Sequence, residues 1–248
     1  MRKKVNIYCP TYHRFEKTRN SISSIIDSVH MSKNDVMLYI IDNNSPQEMK
    51  DWLESQSSEN VVVELLKENI GKGDAINNSF NKTRESDYII SIDSDIVNKH
   101  NINWIDMFVD IMENDNEWGV IACDFKDGDG LNIHIKNHLT KKKSVANYTV
   151  KFGDRGIAGC AIIMRSNEFR NIDCYNNKDI FTGHDGMLMK QVVEILKKKC
   201  GVCAEAILYH PHADTGVEKK YQAWKHKKHR KKLEWNKAPN TGFYERNE

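Results

Sequence analysis

In the first half of the chain, short continuous apolar runs alternate with segments whose apolar residues recur at helical spacing. Continuous apolar runs of this length are typical of strands buried on both faces, and the periodic segments are typical of amphipathic helices. The strands are predicted at residues 5–8, 36–41, 61–66 and 88–92, and a helix is predicted after each of them. This alternation predicts an α/β fold whose parallel strands are covered by helices on both faces.

The second half has a less regular pattern. Strands are predicted over 118–123 and 158–164, a helix over 185–199 and a last strand over 204–209. Residues 131–152 are polar and predict a hairpin with Lys141–Lys143 near its tip. Together the two halves predict a mixed, mainly parallel central sheet that is flanked by helices.

Composition sets the scale of the fold and excludes some partners. With 248 residues, 39% hydrophobic and 29% charged, the chain is long enough for one large α/β domain. A net charge of +2 excludes a global preference for nucleic acid or membranes. No apolar run approaches the roughly 20 residues that span a bilayer, and the basic start Met1–Lys4 has no apolar run behind it. We therefore expect a cytoplasmic protein.

The charge is concentrated near the end of the chain. Between Glu218 and Lys232 there are eight Lys or Arg residues and one acidic residue. Three interpretations of this segment remain open. It is a solvated helix face, a site for anionic lipid that places the protein at the inner face of a membrane, or a binding site for a phosphate-rich acceptor. We expect a domain over 1–216, with a donor-binding half over 1–125 and an acceptor-binding half over 126–216, and a basic helix and tail over 217–248.

Polar residues follow each of the first four predicted strands. The carboxyl ends of parallel strands meet at one edge of a sheet, which is where open α/β sheets bind ligands. The last of these loops carries Asp93 and Asp95, two hard oxygen ligands of the kind that suits Mg²⁺ or Mn²⁺ on a diphosphate. By chance alone a D-x-D sequence is common among 35 acidic residues, and Asp127–Asp129 is a second one, which we interpret as a turn.

Four ordered motifs carry a resemblance to a known family. They are P-T-Y-x-R at 10–14, D-N-x-S at 42–45, N-x-G-x-x-x-A-x-N at 69–77 and D-x-D at 93–95. In this order and spacing, the chain resembles the GT-A fold glycosyltransferases of family 2, which are inverting and use nucleotide sugars. The resemblance runs from about residue 5 to about residue 212.

The resemblance implies roles for residues in the first half. Asp42 would bind the base, usually uracil, so the expected donor is linked to UDP. Asp95 would bind Mn²⁺ or Mg²⁺ directly, and Asp93 would contact the ribose or the metal through water. The donor nucleotide would be lined by Pro10, Thr11, Tyr12, Arg14, Asp42, Asn69, Gly71, Lys72, Asp74, Asp93 and Ser94. The segment 42–45 on its own is also explained as a turn and helix cap.

The second half would supply the chemistry and the acceptor contacts. Asp185 matches the general base of the family, whereas His184 stands where the family usually has Glu and would share the acid–base work or shape the acceptor pocket. Gly159, Cys160 and Gly183 would face the sugar and the acceptor. A His after the last strand would complete the metal site, and His212 is favoured over His210. The structural alternatives are that Asp185 only caps its helix and that the glycines only shape the start of a strand.

The resulting prediction is a metal-dependent inverting transfer of a sugar from a nucleoside-diphosphate sugar to an acceptor hydroxyl. The acceptor would be a glycan, a lipid-linked saccharide, a protein or modified nucleic acid. One alternative is a nucleotidyltransferase, although such enzymes usually carry G-G-x-G-x-R where this chain has CPTYHR at 9–14. Another is a non-catalytic module that binds nucleotide sugars or glycans. The lone C-x-x-C at Cys200–Cys203 lacks the second ligand pair of a zinc site.

Overall fold

Nine strands form one sheet in the computed structural model, which describes residues 1–125, 138–153, 157, 159–173, 175 and 184–210. The strands are β1 (Lys4–Thr11), β2 (Asp35–Asp42), β3 (Val61–Leu65), β4 (Tyr88–Ile92), β5 (Trp118–Phe125), β6 (Lys141–Val145), β7 (Tyr148–Phe152), β8 (Ala161–Arg165) and β9 (Lys199–Leu208). The helices are α1 (Phe15–Met31), α2 (Gln47–Glu54), α3 (Lys72–Lys82), α4 (Trp104–Asn114), α5 (Ser166–Asn171) and α6 (His184–Glu194).

The strand order is β3-β2-β1-β4-β8-β5-β9-β7-β6. The first four strands in this order are parallel to one another, whereas β8 runs antiparallel to both β4 and β5. Beyond β8, β9 is parallel to β5, and the β6–β7 hairpin joins β9 through an antiparallel pair. The predicted α/β class and mixed sheet are confirmed, and the parallel part contains the four predicted strands of the first half.

The core lies on both faces of the sheet because the strand side chains alternate between them. On one face, Val5 and Ile7 of β1 pack with apolar residues of α1, α2 and α4. On the other face, Tyr8 packs with apolar residues of α3, α5 and α6. Thr11, at the end of β1, is buried as well. The loops at the carboxyl ends of the parallel strands therefore start from closely packed residues.

Three predictions for the second half are wrong in their boundaries. The helix predicted over 185–199 ends at Glu194, because Lys197 takes a left-handed conformation (φ 55°) and β9 begins at Lys199. The last strand is therefore longer than the predicted 204–209. The hairpin turns at Ala146–Asn147, where both residues have positive φ, so Lys141–Lys143 lie within β6 and not at the tip.

Cys200 and Cys203 lie in β9, and both are free. Burial raises the pKa of each thiol to about 12. Since the thiolate is the reactive and metal-binding form, this environment disfavours redox or zinc chemistry at the pair. The predicted turn at Asp127–Asp129 and the basic segment over 217–248 lie outside the described residues. None of the described helices is long and apolar enough to cross a bilayer.

Candidate functional site

The strand order reverses direction between β1 and β4. From β1 the chain moves outward through β2 to β3 and then returns to place β4 on the other side of β1. In open α/β sheets a crevice forms at such a switch point, outside the carboxyl ends of the two strands. The loops after β1 and β4 carry the P-T-Y-x-R and D-x-D motifs, so the topology brings these two motifs together.

Hydrogen bonds join the loops after β1 and β2. The Thr11 hydroxyl donates to Asp42 Oδ1 at 3.1 Å, and the Ser45 backbone N–H donates to Asp42 Oδ2 at 2.8 Å. The His13 backbone N–H donates to Ser45 Oγ at 3.0 Å. Asp42 is fully buried, so its carboxylate both ties the loops together and forms part of the floor of the crevice.

The loop after β3 has a conformation that requires glycine. Gly71 has φ 85° and ψ 169°, a region that is open only to residues without a Cβ. Its N–H donates to Asn69 Oδ1 at 2.9 Å, and the Ile70 N–H donates to Asn43 Oδ1 at 3.2 Å. This turn starts α3 at Lys72 and directs the first turn of the helix toward the crevice.

Asp95 pairs with Arg14 across the switch point. Arg14 Nη1 lies 2.7 Å from Asp95 Oδ2, and His210 Nε2 lies 3.5 Å from the same oxygen. Burial alone would raise the pKa of Asp95, but the Arg14 guanidinium and His210 outweigh it and hold that pKa well below its usual range. Arg14 reaches this position from a left-handed backbone conformation (φ 55°), and His13 before it also has positive φ.

Lys72 joins Asp93 to Asp185. Its Nζ lies 2.8 Å from Asp93 Oδ1 and 3.2 Å from Asp185 Oδ1. Asp93 follows β4 in the first half of the chain, and Asp185 lies in the first turn of α6 in the second half. The two carboxylates therefore share one cleft, close enough for a single ammonium group to contact both.

Each partner in this contact affects the charge of the others. Burial raises the pKa of Asp93, the carboxylates of Asp185 and Asp95 raise it further, and Lys72 opposes them. Burial would lower the pKa of Lys72, but Asp185 and Asp93 raise it well above its ordinary value. Lys72 is thus a fixed positive charge among carboxylates.

Gly159 allows Asp185 to approach the start of β8. A Cβ added to Gly159 would lie 2.1 Å from Asp185 Cγ, far inside contact distance. The Gly159 carbonyl also accepts from Lys72 Nζ at 3.4 Å, and the next carbonyl, of Cys160, accepts from the Asp93 N–H at 2.8 Å. The 159–160 backbone therefore lies against the shared cleft.

The other predicted site residues have varied positions. Pro10 is part of β1, Tyr12 contacts the His13 ring edge-on at 4.1 Å, Ser94 is buried and Asp74 is exposed on the first turn of α3. His184 begins α6, but its side chain is not among the described groups, and Gly183 and His212 also lie outside the described residues. The preference for His212 therefore stays a prediction, whereas His210, the alternative, lies beside Asp95.

The sequence did not reveal that Lys72 would link the two halves of the site. It placed Lys72 beside the nucleotide, and only the long-range contact with α6 shows its second partner. Tyr175 was also missed: it is buried, and the charges of Lys72 and Asp185 act on its pKa, which burial raises to about 12. No local motif marks Tyr175, because its position depends on the packing of α3 against the second half.

The residues after β4 fit a divalent cation. Carboxylates are the hard ligands that Mg²⁺ and Mn²⁺ accept, and Mg²⁺ is commonly held by one or two carboxylates plus the phosphates of a substrate. Asp93 lies among other carboxylates that raise its pKa, a repulsion that a bound cation would relieve. In the part of the chain that the structure describes, no group of three or more His, Cys, Asp or Glu could hold a metal, so a substrate and water would have to complete the coordination.

Comparison with known sequence families decides the family. The model of the family described as "Glycosyl transferase family 2" matches residues 7–196, more than half of the chain. This chain belongs to glycosyl transferase family 2. The match covers the crevice, the D-x-D loop and α6, so it contains every described site residue named above except His210. No protein with a curated description matches the sequence of this family 2 chain.

Solved structures of glycosyltransferases share the fold. A mannosyltransferase, PcManGT from Pyrobaculum calidifontis, in complex with GDP-Man and Mn²⁺, superposes with a TM-score of 0.66 at 13% identity over 92% of this chain and 62% of its own. TarS residues 1–349 from S. aureus superpose with a TM-score of 0.62 at 16% identity over 90% of this chain and 65% of that one.

GalNAc-T7, solved with UDP, GalNAc and Mn²⁺, has a TM-score of 0.65 at 12% identity over 86% of this chain and 44% of its own. The family 2 chain thus spans less than two thirds of the length of each of these structures. At such identities the likeness establishes the GT-A fold, and the expected fold family is confirmed.

Proposed function

We propose that this family 2 chain transfers a sugar from a nucleoside-diphosphate sugar, linked to UDP, to an acceptor hydroxyl with inversion at the anomeric carbon. The observation that carries the proposal is the contact of one ammonium group, Lys72 Nζ, with both Asp93 and Asp185 at 2.8 and 3.2 Å. A carboxylate of the D-x-D loop and a carboxylate suited to base catalysis therefore lie within the span of one donor sugar.

The donor nucleotide would lie over the linked loops after β1, β2 and β3. Asp42 is held by Thr11 and Ser45, so its position is set before a ligand arrives, and a carboxylate oxygen can accept a further hydrogen bond from a base. Structural relatives support a nucleotide-sugar donor: PcManGT was solved with GDP-Man and TarS residues 1–349 with UDP-GlcNAc.

Asp95 would hold Mn²⁺ or Mg²⁺ together with Asp93, and the predicted further ligand is His212, which lies outside the described residues. PcManGT and GalNAc-T7 were both solved with Mn²⁺. When bound, such a cation would neutralise charge on the departing diphosphate. In this chain Arg14 contacts Asp95 and Lys72 contacts Asp93, so these two side chains would also bind the diphosphate oxygens.

Asp185 would act as the general base. It lies in the first turn of α6, where the helix dipole stabilises an anion. A carboxylate oxygen of Asp185 would take the proton of the acceptor hydroxyl while the hydroxyl oxygen attacks the anomeric carbon. The bond to the diphosphate breaks on the opposite face of the sugar, and the nucleoside diphosphate leaves with the electron pair. Gly159 leaves room for this carboxylate beside the sugar.

A thermal-shift screen of UDP- and GDP-sugars, with and without Mn²⁺, tests the donor and the cation together. A ligand that binds only the native state raises the melting temperature, so the true donor should give a clear increase that grows with Mn²⁺. In Asp95→Ala we expect this Mn²⁺-dependent increase to be lost, whereas Asp27→Ala, on the exposed face of α1, should behave as the wild type. A donor shift in Asp95→Ala that still responds fully to Mn²⁺ would remove Asp95 from the metal site.

Transfer to an acceptor distinguishes an enzyme from a binding module. In the absence of acceptor, hydrolysis of the donor can be measured by the release of UDP. This hydrolysis should be slow but measurable in the wild type and absent in Asp185→Asn. Donor binding with no hydrolysis and no transfer to any glycan, lipid-linked or polymeric acceptor would favour the non-catalytic alternative.

A further inference from the structure

The turn after α5 lies between α3 and α6 and is hydrogen-bonded to both helices. On the α3 side, the Tyr175 N–H donates to Asn77 Oδ1 at 3.0 Å, and Asn77 Nδ2 donates to the Tyr175 carbonyl at 3.2 Å. On the α6 side, Gln191 Nε2 donates to the Ile172 carbonyl at 2.7 Å. These three bonds connect the two helices through neutral groups, in addition to the ion pair at their first turns.

Apolar packing encloses the same turn. The Tyr175 ring meets Phe169 of α5 edge-on with the ring centres 5.5 Å apart, and Phe169 meets Phe80 of α3 in the same way at 5.1 Å. Both Ile172 and Tyr175 are almost fully buried. A buried backbone N–H or carbonyl without a partner costs free energy. The Asn77 amide therefore satisfies two backbone groups that water does not reach.

Tyr175 lies beside the charged groups of the cleft. Burial raises the pKa of Tyr175 to about 12, Lys72 opposes this shift, and Asp185 and Asp93 add to it. These charges act on the phenol because it is close to them and shielded from water. The residue that Asn77 binds is therefore a neighbour of the carboxylate that would act as the base.

The helices α3 and α6 are thus connected at two levels. At their first turns, Lys72 Nζ lies 3.2 Å from Asp185 Oδ1. At a rise of 1.5 Å per residue, Asn77 lies about 7.5 Å further along α3, and Gln191 lies about 9 Å further along α6. A single contact would let α6 pivot about it, whereas two separated connections fix both a distance and an angle. Apolar packing is non-directional and does not set this angle by itself.

From this arrangement we propose that Asn77 is a positioning residue for Asp185. Asn77 fixes the turn after α5, and Gln191 transmits the position of that turn to α6, whose first turn carries the carboxylate. The side chain of Asp185 stays adjustable, and Asn77 sets the place of the helix that carries it. The role of Asp185 as base rests on the proposed function, but its placement beside Lys72 does not. Asn77 also ends the motif at 69–77, and the donor contacts of the proposed function do not include it.

The alternative is that Asn77 has a structural role only. Its amide would then satisfy the buried Tyr175 backbone and stabilise the fold without affecting where α6 lies. Loss of Asn77 would lower the melting temperature, but the ion pair of Lys72 with Asp185 and the turnover of the folded protein would stay as in the wild type. The two roles therefore predict different results for the same variant.

A double-mutant cycle of Lys72→Met and Asp185→Asn measures their ion pair without a donor or a reaction. The melting temperatures of the wild type, the two single variants and the double variant give the coupling, which is the difference between the loss in the double variant and the sum of the single losses. When the cycle is repeated in Asn77→Ala, we expect this coupling to fall to less than about half, because charges that lie further apart interact more weakly. An undiminished coupling would overturn the proposal.

Asn78 provides the matched control. It is the next residue of α3 and is exposed, so Asn78→Ala removes the same side chain from the same helix without touching a described hydrogen bond to the turn after α5. The coupling in Asn78→Ala should equal that of the wild type. An equal decrease in Asn77→Ala and Asn78→Ala would show a general effect of weakening α3, and it would also overturn the proposal.

Gln191→Met removes the other end of the connection and keeps the proposal testable if Asn77→Ala does not fold. Methionine keeps the length of the side chain but lacks the amide that donates to the Ile172 carbonyl. The coupling between Lys72 and Asp185 should fall in this variant as well. Wild-type coupling in Gln191→Met would exclude transmission from the turn to α6, and the proposal with it.

Rates of donor hydrolysis or transfer add a second readout that a structural role would not change. In Asn77→Ala we expect kcat to fall by about tenfold or more, since a misplacement of about 1 Å can cost on the order of 10²-fold. The KM for the donor should change less than about twofold, because the donor contacts are retained. Wild-type kcat together with a lower melting temperature would leave only the structural role. A wild type without activity would refute the proposed function alone, because the cycle still reports whether Asn77 places Asp185 beside Lys72.

Discussion

The two halves of the molecule hold their parts of the crevice in different ways. In the first half, hydrogen bonds to the fully buried Asp42 join the loops after β1 and β2, and a bond from the Ile70 N–H to Asn43 Oδ1 joins the loop after β3. In the second half, Asp185 is partly exposed, and its described polar contact is the ammonium of Lys72 at 3.2 Å. The proposed donor side, formed by these loops, is thus built into the sheet edge, whereas the proposed base side, at Asp185, is connected to it mainly by one ion pair and by close contact with Gly159.

This difference means that the loops around Asp42 are preorganised, whereas the position of Asp185 can adjust. Buried hydrogen-bonded groups cost free energy to rearrange, so the donor side should keep its shape with or without a ligand. A partly exposed ion pair is screened by water and can exchange partners more readily than a buried hydrogen-bond network. We therefore expect changes on the base side to alter turnover more than nucleotide affinity, and changes on the donor side to alter stability.

The largest effect is expected for Asp185→Asn. The amide cannot accept the acceptor proton, and loss of a general base typically costs on the order of 10³-fold in rate. UDP affinity in the presence of Mn²⁺ should change less than about twofold, because the donor side is held by its own contacts. The measurements are initial rates of transfer or donor hydrolysis and calorimetric titration with UDP. A parallel loss of rate and of UDP affinity would break the proposed separation of the two sides.

Gly159→Ala should displace the carboxylate of Asp185. The new Cβ would lie 2.1 Å from Asp185 Cγ, so Asp185 or the 159–160 backbone must move. A misplacement of about 1 Å can cost on the order of 10²-fold in rate, and we expect a loss of that size with UDP affinity retained. Wild-type turnover in this variant would show that the position of Asp185 is not critical.

Lys72→Met tests the ion pair that links the halves. Removal of the ammonium leaves Asp93 and Asp185 as neighbouring carboxylates, and for these partly exposed groups we expect a loss of about 2 kcal/mol in the free energy of unfolding at pH 7. Unfolding in guanidinium chloride measures this change in the free energy of unfolding. Lys72→Arg, which keeps the charge, should lose less than half as much.

The pH dependence of Lys72→Met has a defined sign. The folded-state pKa of Lys72 is raised above its unfolded value, so its contribution is fully present at pH 7 and would be lost only as pH rises through that folded pKa. At low pH the partners change instead: the pKa of Asp93 is already raised, and its protonation removes the repulsion in the variant. The stability difference between wild type and Lys72→Met should therefore shrink between pH 7 and pH 4. A difference that stays constant would show that the carboxylates do not cause it.

The sequence predicted the first half of the fold more closely than the second for a physical reason. In β2, β3 and β4 each apolar run is local and continuous, so strand and run nearly coincide, whereas β1 extends three residues beyond its predicted end at Tyr8. The switch point that joins the P-T-Y-x-R and D-x-D motifs also follows from local elements in a standard order. In the second half, the end of α6 at Glu194 and the start of β9 at Lys199 depend on pairing of β9 with β5 and β7, partners distant in sequence.

The candidate site shows the same limit. Asp93, Asp95 and Asp185 were chosen as candidates from motifs, since each motif is a short local stretch of sequence. The contact between Lys72 and Asp185 spans more than a hundred residues, and the approach of Gly159 to Asp185 is a matter of backbone packing. Such relations depend on how β8 and α6 pack beside the parallel strands, which no local pattern specifies.

The smallest expected effect comes from Thr11→Val on the donor side. The change keeps the shape of a buried side chain but removes the hydroxyl that donates to Asp42 Oδ1 at 3.1 Å. A buried carboxylate oxygen without that donor should cost about 1–2 kcal/mol of stability, measured by guanidinium chloride unfolding, with turnover per folded molecule nearly unchanged.

Thr149→Val is the control in the second half, because Thr149 uses its backbone N–H to bind Glu205 at 2.9 Å. This control should stay within about 0.5 kcal/mol of the wild type. Equal stability losses at the two threonines would mean that the linked loops around Asp42 are no more rigid than the β7 hairpin strand, and that the two sides of the crevice do not differ in the way their contacts indicate.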